Sequence, residues 1–385
     1  MEKITITDIL GEKTMEDALT HTKPVEWAAT VRGKLTKDVV EEISKLKGGE
    51  PEWMRQLRVR NLELFNKLPM PNWVAAVNEI DLEELINYAK PSTHQANDWD
   101  QLPSDIKSYY ESIGLPELEA KALSGLGAQL DSEIIYLNVK KQLNEKGVIL
   151  MSMEEAVQKY PPDMVRQYFM KIFPPEHKFA ALHGGALWSG GVFVYVPPGV
   201  KIEAPLEAFF LISNALEGQF EHTLLVADKN SYIHFIEGGC SAPRFSKTSF
   251  HDGMVELYAH EGAHIKFTTV QNWSKNVINF NNKRAIGEAR SFIEWVEASI
   301  GSRASYVYPS TVLKGEGAST SIVGITMANG NHWKENGAKV YHDAPNTSSK
   351  IVNKSISANG GGSVVYRGIG VREEGSQGSE EPRGV

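Results

Sequence analysis

Glu261-Gly-Ala-His-Ile-Lys-Phe, Glu288-Ala-Arg-Ser-Phe-Ile-Glu-Trp and Glu316-Gly-Ala-Ser-Thr-Ser-Ile are three versions of one pattern. Each sets an acidic turn just before a β-rich run, and the turns recur 27 and 28 residues apart. Within the runs side chains alternate, Ile265 and Phe267 against Lys266, Ile293 and Trp295 against Glu294, which is the period of a strand with one buried face. Asp228-Lys-Asn-Ser-Tyr-Ile reads as an earlier copy and Asn359-Gly-Gly-Gly-Ser-Val as a later one. A period in the twenties with one small-residue turn per unit is the signature of a stacked solenoid. No helix-length segment separates the units. The expected fold is therefore mainly β, a right-handed parallel β-helix core over 179–370; a β-sandwich seldom repeats its turns at fixed intervals.

Outward from that core, the first third reads as helices. Thr36 caps a stretch with Val39, Val40, Ile43 and Leu46 at helical spacing, and Pro51 opens a second, with a third expected from Asp81 through Leu82, Leu85 and Ile86. Residues 1–103 form the expected helical N-terminal region, with a linker at 91–104, and 104–178 a mixed helical connector that includes a helix over Met153–Ile172. Residues 371–385 are Glu, Gly, Ser and Pro with almost nothing apolar, an expected disordered acidic tail.

Composition sets bounds. Of 385 residues 41% are hydrophobic and 23% charged, enough for a sizeable core, and the net charge of -8 argues against nucleic acid as a partner. No apolar run approaches the ~20 residues of a membrane span, and the amino terminus lacks the basic and apolar regions of a secretory signal. The single cysteine, Cys240, forms no internal disulfide, which fits a reducing, cytoplasmic setting, and cannot build a four-cysteine metal site alone.

Several strings in the β region then resemble one family. Gln271-Asn-Trp-Ser, Lys283-Arg-Ala, Gly337-Ala-Lys, Ala344-Pro-Asn-Thr-Ser-Ser-Lys-Ile-Val and Tyr366-Arg-Gly are similar to the core of the SufB/SufD family. Gly49-Glu-Pro-Glu-Trp-Met, Gly127-Ala-Gln-Leu-Asp-Ser-Glu, Trp188-Ser-Gly-Gly and Gly218-Gln-Phe-Glu-His-Thr-Leu resemble the SufB branch. The matches run in the family's order from about Asp38 to Gly368. The resemblance implies a scaffold for iron–sulfur cluster assembly, not an enzyme, which accepts persulfide sulfur and transiently supports a cluster. Implied partners are a SufC-type ATPase, a SufD-type subunit or second SufB-like copy, and a cysteine desulfurase with its sulfur-relay protein. A flavin is associated with the family's complex, but no dinucleotide fingerprint assigns one here. Beyond the Tyr-Arg-Gly strand the family carries a second cysteine, a His-Glu pair and ATPase-docking helices, where this chain has its acidic tail.

Cys240 lies in Ile236-Glu-Gly-Gly-Cys-Ser-Ala-Pro, with Arg244 beside it. A glycine-rich turn exposes a thiol, and its N–H groups together with a cation favour the thiolate, the species that accepts sulfur. Read blandly, it is a small residue plugging a corner. The resemblance places Gln271, Trp273 and Lys283 on the route along which sulfur moves; without it, Trp273 reads as core filling and Lys283 as a solvated lysine. The family's arginine and asparagine nearby are replaced by Leu211 and Ser213. Glu237 and His251 are candidate ligands to join Cys240 at an iron site. Two other readings compete: a structural or regulatory homologue that builds no cluster, and a carbohydrate-active β-helix enzyme using Asp228, Asp252, Lys266 or Glu294.

Overall fold

The computed structural model describes residues 26–112, 115–159, 162–213, 216–240, 247–358, 360–373 and 376–379. Strand β1 (Trp27–Arg32) pairs antiparallel with β2 (Ile86–Pro91), and helices α1 (Lys37–Leu46) and α2 (Glu52–Lys67) lie between them in sequence. The Thr36 hydroxyl accepts from Val39 N at 3.3 Å, capping α1 as its sequence predicts. The helix expected from Asp81 does not form. The Asp81 carboxylate instead accepts from the N–H groups of Glu83 and Glu84 in a turn, and Ile86 enters β2, where pairing with β1 overrides the helical spacing. The linker expected at 91–104 is not free of the fold, because Trp99 stacks on Tyr136 at 4.0 Å. Of the helix expected over Met153–Ile172, the described helical stretches are Met153–Lys159 and Pro162–Arg166, and the helix does not reach Ile172, since Met170 turns left-handed with φ 53°.

The sheets begin before Phe179, with β3 (Gly125–Leu130), β4 (Glu133–Val139) and β5 (Ile149–Ser152). The chain then coils through β6 (Val192–Val196), β7 (Leu206–Leu211), β8 (Gly218–Gln219), β9 (His222–Ala227), β10 (Tyr232–Cys240) and β11 (Ser249–Ala259). It continues through β12 (His264–Asn272), β13 (Val277–Gly287), β14 (Phe292–Ser299), β15 (Ala304–Val307), β16 (Ser310–Leu313), β17 (Ser319–Ala328), β18 (Trp333–His342), β19 (Ser348–Ser357) and β20 (Ser363–Arg372). One sheet runs β4-β3-β7-β10-β12-β14-β17-β19. The other runs β5-β6-β9-β11-β13, then β15 and β16 end to end, then β18 and β20. Within these two sheets β3–β4 and β5–β6, at the start of each, pair antiparallel, and the described coils pair parallel in a right-handed β-helix.

The repeated turn becomes a corner ladder. Asn230, Gly262, Arg290, Gly317 and Asn346 are all left-handed, and the N–H of each donates to a carbonyl of the next coil at 2.9–3.1 Å. This pins the register, so that Tyr232, His264, Phe292, Ser319 and Ser348 stand in one row. Behind it Phe235, Phe267 and Trp295 stack with ring centroids 5.6 and 5.5 Å apart. The copy read at 359–364 is misplaced: its glycines lead into β20, which pairs with β18, and the true next copy is Asp343-Ala-Pro-Asn-Thr-Ser, leading into β19. The tail is partly ordered. β20 reaches Arg372, and the Ser379 hydroxyl lies 2.8 Å from Thr347 Oγ1, closing over the last corner. Residues 380–385 lie outside the described residues.

Candidate functional site: a buried polar string inside the solenoid

In three neighbouring first-sheet strands apolar side chains fill the start of the inward face, and polar ones take over toward the end. Ile233 and Phe235 give way to Glu237 and Gly239 in β10; Ile265 and Phe267 to Thr269 and Gln271 in β12; Ile293 and Trp295 to Glu297 and Ser299 in β14. Parallel register puts Glu237, Thr269 and Glu297 in one row, and Gly239, Gln271 and Ser299 in the next. The second sheet contributes His251 from β11 beside Asn279 from β13, with Asn281 and Lys283 further along β13.

These groups bond to one another. Lys283, wholly buried, donates to Thr269 Oγ1 at 2.7 Å and to both oxygens of Glu297 at 3.2 and 3.3 Å, and stands 3.7 Å from Glu237 Oε1. The Gln271 amide donates to Glu237 Oε1 at 3.1 Å, while its carbonyl oxygen accepts from the Trp273 indole N–H and, at 3.4 Å, from Asn279. The His251 ring packs on Trp273 at 4.4 Å; its Nδ1 is 2.6 Å from Asn279 Oδ1 and its Nε2 2.8 Å from Glu221 Oε2. The string runs on through Ser299 and Ser305, 2.9 Å apart, to Lys334, which donates to Ser302 at 2.9 Å, and to Asn336, which donates to Thr326 at 2.7 Å.

Burial sets its electrostatics. It pushes the Glu237 carboxyl up, against the pull of Lys283, and pushes Glu297 up to about 7 against the same ammonium. Burial alone pulls the Lys334 ammonium down to about 7. The string thus holds groups that exchange protons near neutrality, next to a lysine ion-paired on two sides. Two glycines leave room for the string: a Cβ on Gly239 would sit 2.5 Å from Gln271 Oε1 and one on Gly253 2.2 Å from Glu221 Oε1, and either would push that side chain aside.

Of the residues singled out by sequence, Glu237, His251, Gln271, Trp273 and Lys283 all stand in this string. Lys283 is not the solvated lysine of the bland reading, because inward parity places it between two carboxylates. Cys240 ends β10, its backbone paired with Asn272 on one side and Leu211 on the other, next to Gly239 in the Gln271 row. The thiol and residues 241–246, including Arg244, lie outside the described structure. Leu211 is buried in an apolar cluster, and Ser213 donates through N and Oγ to Asp131 at 2.7 and 2.8 Å. Sequence reasoning missed Glu221, Thr269, Asn279 and Glu297; the parity of Thr269 with Phe267 and of Glu297 with Trp295 was the available signal. Among the described residues no three His, Cys, Asp or Glu stand close enough to hold a metal; His251 Nδ1 lies against Asn279, while its Nε2, 2.8 Å from Glu221 Oε2, has no hydrogen-bond partner. The carboxylates considered for sugar chemistry are scattered: Asp252 is buried in β11 against Asn282, Glu294 pairs with His264, and Asp228 holds Tyr195.

Comparison with known families agrees with this architecture. Residues 40–208 match the SufBD protein N-terminal region, and residues 210–382 match the SufBD core domain of SUF system FeS cluster assembly. An iron–sulfur cluster assembly SufBD family protein of Staphylococcus epidermidis is 44% identical over 350 residues, covering 91% of this chain and 74% of that protein. The iron–sulfur cluster assembly protein SufB of Bacillus subtilis is 42% identical over 365 residues, covering 94% of this chain and 77% of that protein. A solenoid with a helical amino-terminal region, matched along nearly all its length, therefore belongs to the SufB/SufD family, whose members serve iron–sulfur cluster assembly as scaffold subunits.

Proposed function

We propose that this chain is a SufB-like scaffold that accepts sulfur as a persulfide on Cys240 and passes it along the buried polar string to the place where an iron–sulfur cluster forms. The observation that carries the reading is convergence: the three residues assigned to the sulfur route by resemblance share one buried, hydrogen-bonded string with Glu237 and His251. In the loading step the Cys240 thiolate attacks the outer sulfur of a donor cysteine persulfide. A new S–S bond forms on Cys240, the donor S–S bond breaks, and the donor leaves as a thiolate, with no net redox change. Inside the solenoid an anionic persulfide meets the Lys283 ammonium and the Gln271 amide as charge-neutralising and donating groups. A cysteine desulfurase with its relay protein supplies the sulfur, and a SufC-type ATPase with a SufD-type subunit or a second copy of this chain completes the assembly. The cluster is its product, with Cys240, Glu237 and His251 as candidate first ligands.

The test is intact mass spectrometry after anaerobic incubation with a desulfurase and cysteine, mapped to the Cys240 peptide. A desulfurase-dependent gain of sulfur on Cys240, lost in Cys240→Ser and reduced in Lys283→Met, is expected. No gain, with a donor that loads a control acceptor, would reassign the chain as a structural homologue that builds no cluster.

A further inference from the structure

Outside the solenoid, on the outer face of the second sheet, a cleft of about 530 Å³ opens between that face and two amino-terminal segments, 68–73 and 173–180. Its floor is a row of three residues in register on neighbouring strands: Arg284 of β13, Ser310 of β16 and Lys339 of β18. Strands about 4.8 Å apart put the backbones of Arg284 and Lys339 roughly 10 Å from each other with the serine between them, close enough for two long side chains to converge on one phosphate. Neither cation has a carboxylate within 4 Å among the described residues. Arg284 donates from Nη1 to the Ile172 carbonyl at 3.0 Å and lies over the Phe173 ring at 4.8 Å, and its Nε–H is buried without a partner. The Ser310 hydroxyl is likewise buried and unpartnered. Lys339 lies 5.6 Å over Tyr308; burial and the Arg284 guanidinium both pull its ammonium downward, as an anion in the cleft would reverse. Glu256, next to Arg284 across the strands, is already taken up by the N–H groups of Ile172 and Phe173 at 3.1 Å.

The walls are aromatic. Phe280 and Tyr306 stack at 4.7 Å, and Trp73, half exposed at the mouth, meets Tyr306 edge-on at 6.3 Å. Unpaired cations with a free hydroxyl on the floor and a half-exposed indole at the rim suit a phosphate joined to a flat ring. The volume lies within the range of small-molecule sites. We propose that this cleft binds a nucleotide-class ligand, a phosphorylated planar heteroaromatic, with its phosphate on Arg284, Ser310 and Lys339 and its ring against Trp73 and Tyr308.

The experiment is calorimetric titration of the full chain with AMP, with adenosine and inorganic phosphate as partial probes. Saturable AMP binding is expected, with each partial probe at least about tenfold weaker. Lys339→Gln should weaken AMP about tenfold, the loss of one charge-assisted contact. Trp73→Ala should weaken AMP while leaving inorganic phosphate unchanged. Trp73 lies at the rim and Lys339 is only partly buried, so retained circular dichroism and melting temperature separate lost binding from lost folding; Arg284→Gln is the third variant, read only where it folds. No AMP binding at millimolar concentration, binding untouched by Lys339→Gln and Trp73→Ala, or displacement of AMP by an acidic peptide that binds more tightly would each overturn the proposal.

Discussion

Lys283 is the residue on which the interior polar string turns, because one buried ammonium stands against two buried carboxylates. Removing one partner of such a set leaves charges unpaired, which costs about 3 kcal/mol or more. Lys283→Met should therefore destabilise the chain by about that amount at pH 8. At pH 5 the loss should be smaller, because Glu297, already pushed up to about 7, is protonated there. Urea denaturation at the two pH values measures the difference, and equal losses would contradict the arrangement. Glu207 makes a complementary case. Burial alone pushes its carboxyl up to about 7, and one of its oxygens has no hydrogen-bond partner. Its folded value lies above the ordinary 4.5, so the stability it contributes is full below that point and is lost as pH rises through 7. Glu207→Gln should accordingly raise the melting temperature at pH 8 and change it little at pH 4.5. How far such residues were legible depended on their partners. Gln271, Trp273 and Lys283 were recognisable from strings and Glu237 from its place beside Cys240, whereas Glu297 was missed although its parity with Trp295 carried the signal. That Lys283 of one sheet meets Glu297 of the other is set by the solenoid cross-section, which no local spacing encodes.

At the scale of elements, the corner ladder explains why the turn was the most readable feature of the chain. Each coil must pass one residue through left-handed backbone, where glycine and asparagine fit with least strain, and the acidic-small motif repeats for that reason. Gly262 and Gly199 separate strain from crowding. Both are left-handed, with φ 68° and 74°, but a Cβ on Gly262 would lie 2.3 Å from Asn230 Oδ1, while one on Gly199 meets nothing within 4 Å. Gly199→Ala should then cost about 1 kcal/mol, the backbone penalty alone, and Gly262→Ala somewhat more, about 1.5 kcal/mol, since the Asn230 side chain must also swing aside. Equal costs in thermal melts would mean that the ladder does not transmit contacts from coil to coil. The element lost to sequence reading, β2, shows the opposite limit. Leu82, Leu85 and Ile86 keep helical spacing, but Ile86 and Tyr88 bury against partners distant in sequence, and the strand follows the partners. The misassigned copy at 359–364 fails for a related reason: a β-helix has two kinds of glycine-bearing corner, and composition does not say which sheet the next strand joins.

Across the whole molecule, stability is distributed as in other solenoids, each coil resting on its two neighbours. The ends are unlike. At the amino-terminal end, β4 and β5 cap the two sheets antiparallel, and the amino-terminal helices pack over the outer faces of the early coils. Strands β10 to β14 are flanked on both sides, and β11 is buried along its whole length. At the other end β19 and β20 present most of their side chains to solvent, including Ile356 and Ile369, and the Ser376–Ser379 segment folds against the last corner. Opening free energy in such an array falls toward the less supported end, because a terminal coil loses one interface on opening where an inner coil loses two. Amide hydrogen exchange should therefore be slowest in β10 to β14 and fastest among the solenoid strands in β19 and β20, with the opening energies stepping coil by coil. If this chain pairs through that exposed end with a SufD-type subunit or a second copy of itself, adding the partner should slow exchange in β19 and β20 first and leave β10 to β14 unchanged. Uniform protection throughout the solenoid in the isolated chain would show instead that the coils open as one cooperative block, and the polar string would then be closed at both ends by the same stability.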